Sequence, residues 1–120
     1  MKGRVDSALR ALLEVRARSE PSGTATTITV WIDTAFNGYF VFSKPLIDKL
    51  GLQQEATTDA VLADGSLVTL ESYVCYVEWF GTLVPAQAIA NEGAIPLLGT
   101  ELLADRVLVV DYTQSRVSLD

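Results

Sequence analysis

Thr27-Ile28-Thr29-Val30-Trp31-Ile32-Asp33-Thr34-Ala35-Phe36-Asn37-Gly38 changes character half-way along. A β-branched and aromatic run leads to one carboxylate, then gives way at once to small and turn-forming residues. Strands favour the first half of that pattern. Ala35, Asn37 and Gly38 suit a tight loop. The pattern predicts an aspartate where a buried strand turns over. Burial of a carboxylate is costly unless it is hydrogen-bonded or shares its charge with a partner. Asp33 is therefore the first candidate for chemistry; the bland alternative is a turn aspartate that caps a strand end.

Upstream, residues 4–18 admit two readings. Val5, Ala8, Leu9, Leu12 and Leu13 follow a helical spacing, and the Ala, Leu and Arg content favours a helix. Leu9, Ala11, Leu13 and Val15 also alternate with Arg10, Glu14 and Arg16, as a half-buried strand would. Glu20-Pro21-Ser22-Gly23 is a turn, so 9–17 and 26–32 are placed to form a hairpin.

Downstream, 39–42 is a second short apolar strand. A short helix follows, capped by Ser43, with Pro45 in its first turn, Gly51 at its end, and Leu46, Ile47 and Leu50 facing inward. The runs 60–63 and 66–70 flank Asp64-Gly65, a two-residue hairpin signal. A strand over 73–79, a turn at Gly81-Thr82 and a strand over 83–90 come next. Segment 95–103 reads as a loop entering a short helix, and 107–110 with 116–119 as a last hairpin. Many short strands with two short helices describe a small β-barrel or sandwich.

The chain has 120 residues, 49% of them hydrophobic, which predicts one domain over 1–120 with its own core. A formal net charge of −6 without a basic run argues against nucleic acid or an anionic membrane surface as partner. No apolar stretch is long enough to span a bilayer, and the first residues lack the apolar core of a secretory signal. Cys75 is alone, so no internal disulfide is expected, which fits a reducing cytoplasm. Among Tyr73, Val74, Tyr76 and Val77 it reads as a packed core thiol. The sequence contains no histidine, which excludes Ser-His and Cys-His nucleophilic catalysis and His-based zinc sites. Acid–base work would fall to carboxylates, lysines or tyrosines, and no metal or cofactor is expected.

Certain segments stand in a telling order: Ile32-Asp33-Thr34-Ala35, then Phe36-Asn37-Gly38-Tyr39-Phe40, then a short helix ending Leu50-Gly51-Leu52. The hairpin Leu62-Ala63-Asp64-Gly65-Ser66 comes next, and Leu97-Leu98-Gly99-Thr100-Glu101-Leu102-Leu103 last. Together they resemble the small, single-lobed aspartic proteases of the retropepsin-like group, in particular its short bacterial and archaeal members. The resemblance covers nearly the whole chain, including the Gly3-Arg4-Val5 opening. It implies an all-β acid-protease barrel with two short helices, at about 44–50 and 99–104. Against local propensity, it also implies a strand over 8–17.

The same resemblance implies roles. Asp33 would be catalytic, Thr34 would hydrogen-bond across a dimer, and Ala35 would lie under the substrate. Leu62, Ala63, Asp64, Gly65 and Ser66 would form a flap over an extended peptide or protein segment. Leu97, Leu98 and Gly99 would back the aspartate. With one signature and too little chain for two lobes, the implied active form is a homodimer. The sequence departs from the group at Ala35, where Gly is commoner. Thr100 and Asn37 stand where the viral enzymes carry an arginine–acid brace. A second reading keeps the fold without cleavage, as a dimerisation or peptide-binding module; the presence of both Asp33 and Thr34 favours the peptidase. Asp111 begins the last hairpin turn and is not read as a second catalytic aspartate. Trp31, Trp79 and Phe80 read as core or edge packing, Lys44 and Lys49 as solvated faces of the helix.

Overall fold

The computed structural model describes residues 1–61 and 63–120. The first half of the described chain forms β1 (Lys2–Val5), β2 (Ala11–Arg18), β3 (Thr26–Ile32), β4 (Phe40–Ser43), α1 (Lys44–Leu50) and β5 (Gln53–Val61). The second half forms β6 (Leu67–Trp79), β7 (Thr82–Asn91), β8 (Leu97–Leu98), α2 (Thr100–Leu103), β9 (Leu108–Asp111) and β10 (Arg116–Leu119). The protein is all-β with two short helices, as its sequence pattern predicts.

The strands lie in the order β5-β6-β7-β4-β8-β3-β2-β1-β10-β9, and β6 also pairs with β2. That extra pairing, Ala17 with Val77 and Arg18 with Tyr76, closes β6, β7, β4, β8, β3 and β2 into a barrel. Closure satisfies the strand edges internally, which a small barrel needs. One edge of β2 is taken by β3, from Leu12 to Ala17. The other is shared, with β1 beside its first residues and β6 beside its last. Two extensions leave the barrel: β5 on the outside of β6, and β1-β10-β9 on β2.

The interior is a continuous apolar cluster in which Leu13, Val15, Val30, Phe40, Phe42, Val77, Leu98, Val117 and Leu119 are almost fully buried. Phe40 and Phe42 stack with ring centroids 4.9 Å apart. On β2 the buried set Ala11, Leu13, Val15 and Ala17 alternates with Glu14 and Arg16, the strand reading of residues whose local propensity is helical. The strand begins at Ala11 rather than at residue 8. The Asp6 carboxylate accepts the N–H groups of Ala8 and Arg10, at 3.0 and 2.9 Å, and holds 6–10 in a loop.

Helix α1 forms where its signals place it. Ser43 Oγ accepts the N–H of Leu46 at 3.3 Å, and Gly51 ends the helix at φ 69°. Two turns differ from expectation. The ladder of β5 and β6 ends at the pair Val61 and Leu67, so the hairpin is longer than the two residues Asp64-Gly65 suggest. Asp64 Oδ1 accepts both the N–H and the hydroxyl of Ser66, which stabilises a wider turn. The β6–β7 turn sits at Phe80-Gly81, both at positive φ, because Trp79 pairs with Thr82.

Candidate active site

Asp33 follows the last residue of β3, half-buried, while Thr34 and Ala35 are exposed. Its main-chain N–H donates to the Leu98 carbonyl at 2.8 Å, and its own carbonyl accepts from Phe36 N–H at 3.2 Å. Among the described residues its carboxylate accepts one hydrogen bond, from Ala35 N–H at 3.0 Å. That bond folds the loop tightly around the carboxylate and leaves the second oxygen, Oδ2, for another ligand.

The loop is held from behind by β8 and α2. β8 runs parallel to β3, with Trp31 beside Leu97 and Ile32 beside Leu98. It runs antiparallel to β4, with Phe40 beside Leu98 and Val41 beside Leu97. Gly99 N–H then donates to Tyr39 O at 2.8 Å, Thr100 N–H to Phe36 O at 2.9 Å, and Glu101 N–H to Gly38 O at 3.1 Å. The first amides of a helix have no partner within it; here the carbonyls of the aspartate loop supply them. Leu98 and Gly99 are buried and Leu97 is half-buried. A β-carbon on Gly99 would overlap the carbonyl oxygen of Gly38 and lie 2.7 Å from that of Phe36. The structure thus brings Asp33, Thr34 and Ala35 together with Leu97, Leu98 and Gly99.

Ala63, Asp64, Gly65 and Ser66 lie apart from them, exposed at the tip of the β5–β6 hairpin; Leu62 lies outside the described residues. Val61 and Leu67, which flank the tip, are 70% and 72% exposed. The hydroxyl and N–H of Ser66 hold the Asp64 carboxyl below the usual carboxylate range. Lower on the stem, Lys44 is exposed, as expected, and in addition carries an ion pair. Its Nζ lies 2.9 Å from Glu71 Oε2 and 2.6 Å from the Tyr73 hydroxyl, which itself donates to Glu71. Tyr73 and Lys44 together hold the Glu71 carboxyl low. Lys49 stays exposed. Asp111 ends β9 and holds the turn that follows: its carboxylate accepts from the Thr113 N–H and hydroxyl and from Gln114 N–H.

A shallow groove of about 570 Å³ opens on the other flank of the aspartate loop, lined by Thr34, Thr100, Glu101, Leu103, Ala104 and Leu108. The sequence pattern did not single it out. Leu103 and Leu108 read there only as parts of a short helix and of the last hairpin, and only the fold shows that they line one groove with Thr34. The Asp6 loop was missed too. Arg10 binds the Asp6 carboxylate at 2.8 Å and lies over the Trp31 ring, 5.8 Å from its centroid. The spacing of Asp6 and Arg10 was its available signal.

By sequence, no protein-family model and no curated protein matches the chain. The backbone does match solved structures. The EIAV protease, in complex with the inhibitor HBY-793, superposes with a TM-score of 0.57 at 17% identity, covering 80% of this chain and 86% of that one. The fold is retropepsin-like. The retroviral protease-like domain of Ddi1 from Leishmania major, another retropepsin-like structure, superposes with a TM-score of 0.50 at 12% identity. That match covers 91% of this chain and 88% of that one. Within a retropepsin-like barrel, the aspartate loop backed by β8 and α2 is the structural core of the candidate site.

Proposed function

We propose that the protein is an aspartic endopeptidase that works as a homodimer, with Asp33 of each copy meeting at the two-fold axis. The observation that carries this reading is the built loop. Asp33 directly follows a strand, one oxygen is held by Ala35 N–H, and the backbone behind is fixed by Leu98, Gly99 and Thr100. Two carboxylates brought within hydrogen-bonding distance cannot both ionise, so the pair shares one proton. The ionised member takes a proton from a bound water, and the protonated one polarises the scissile carbonyl. The water attacks directly and no covalent intermediate forms. Thr34 braces the paired loops, Ala35 underlies the substrate, and the 62–66 hairpin closes over an extended peptide.

The test is cleavage of a diverse peptide library between pH 3 and 8 at several protein concentrations, wild type beside Asp33→Asn. Cleavage that rises faster than linearly with protein and vanishes in the variant supports the reading. A wild-type dimer that cleaves nothing favours the alternative, a dimerisation or peptide-binding module on the same fold.

A further inference from the structure

The Asp33 loop is clamped on either side of Asn37. Phe36 O accepts Thr100 N–H at 2.9 Å, and Gly38 O accepts Glu101 N–H at 3.1 Å. Between these ties Asn37 is exposed. Among the described residues, neither its side-chain amide nor the Gly38 N–H has a hydrogen-bond partner. An asparagine in that state is open to attack by the next residue's main-chain nitrogen, which closes a five-membered ring on Cγ. Glycine at 38 presents no β-carbon to block the approach. Nor is that glycine exchangeable: a β-carbon there would lie 2.4 Å from Cζ of Phe36.

The comparable residues elsewhere are protected. Asn91 precedes Glu92, which carries a side chain beside the attacking nitrogen, and its Oδ1 accepts Gly93 N–H at 3.0 Å. Asp64 also precedes a glycine, but Ser66 binds its carboxylate and holds it ionised. An ionised carboxylate has no neutral group to expel.

We propose that Asn37 is a site of self-modification, at which the chain converts its own amide into a carboxylate within the Asp33 loop. The Gly38 amide gives up its proton, and its nitrogen bonds to Asn37 Cγ. The Cγ–Nδ2 bond breaks, and Nδ2 leaves with that proton as ammonia. Water then opens the cyclic imide at one of its two carbonyls. Opening at Cγ yields an ordinary aspartate. Opening at the main-chain carbonyl yields an isoaspartyl link, whose backbone runs through Cγ and is one methylene longer. Either product adds one negative charge to the formal −6. The longer link lies between two carbonyls that are both tied to α2, so it strains the clamp, whereas the aspartate leaves it intact. The chemistry uses only the loop and water, and it holds whether or not Asp33 is catalytic.

The test is incubation of the folded chain at pH 8 over days, beside the same chain unfolded in urea. Peptide mapping by mass spectrometry and enzymatic methylation of isoaspartyl carboxyls read the products. A reaction that waited for global unfolding would be slowed in the folded protein by the unfolding constant, about 10³-fold or more. The expected folded rate instead lies within about 100-fold of the unfolded one, with Asn91 intact. It should rise about tenfold per pH unit, as more of the amide is deprotonated. Asn37→Gln, whose ring would be six-membered, should keep its charge over the same time. Aged protein, a mixture of both products, should unfold at lower urea than Asn37→Asp. A larger rate deficit, a rate indifferent to pH, equal conversion at Asn91, or charge gained equally fast by Asn37→Gln would overturn the proposal. So would aged protein as stable as Asn37→Asp.

Discussion

The α-carbon of Gly99 packs against the carbonyl of Gly38 so closely that no side chain fits between them. Gly99 is extended, at φ −100° and ψ −176°, so backbone conformation does not require glycine there. Space does. Gly99→Ala should push α2 away from the aspartate loop and strain the bonds to Tyr39, Phe36 and Gly38. Overpacking of this kind costs about 1–3 kcal/mol. Urea denaturation should show that loss, and any peptidase activity should fall further than stability alone explains, because Asp33 sits on the displaced loop.

Lys44, Glu71 and Tyr73 tie the stem of the β5–β6 hairpin to the start of α1. The folded state holds the Glu71 carboxyl below its ordinary value of 4.5, chiefly through the Tyr73 hydroxyl and then through Lys44. A carboxylate lowered on folding adds stability above its unfolded pKa, and that gain is lost as pH falls through the folded value. The Lys44 ammonium is shifted upward, so its own contribution is lost only at strongly alkaline pH. Wild type should therefore melt above Glu71→Gln at neutral pH, and the gap should close as the solution is acidified below 4.5. Thermal melts of the two proteins across pH 3–7 measure it.

Cys75 is fully buried on β6, and burial pushes its thiol up to about 12. Thiolate is the reactive form. A disulfide reagent at pH 8 should therefore modify the folded protein at least about 1000-fold more slowly than an exposed thiol. In urea the reaction should become fast. Rapid labelling of the native protein would show that β6 opens far more often than its packing implies.

Where a feature is set by neighbouring residues, the sequence was legible. β3 occupies 26–32 as expected, and α1 lies between Ser43 and Gly51 because cap and stop are local chemistry. β2 shows the limit. Its Ala, Leu and Arg residues favour a helix, but β3, β1 and β6 each take up its backbone hydrogen bonds, and pairing outweighs propensity. The hairpin beyond Val61 and the turn at Phe80 were misread because dipeptide signals do not fix ladder register. In the candidate site, the apolar-apolar-Gly segment behind Asp33 was legible through resemblance. The groove at Thr34 was not, since Leu103 and Leu108 meet it only through the path of the chain. Nor does an apolar run such as 107–110 reveal by itself whether it lies in a core or along an edge.

β3 and β4 are consecutive strands, yet they do not pair; β8 lies between them. The sheet therefore cannot zip outward from its first hairpin. The place beside β3 is filled by β8, from far along the chain. Closing a long loop before any contact rewards it is slow. Loop 33–39 should thus take its shape late in folding, when Leu98 arrives to accept the N–H of Asp33.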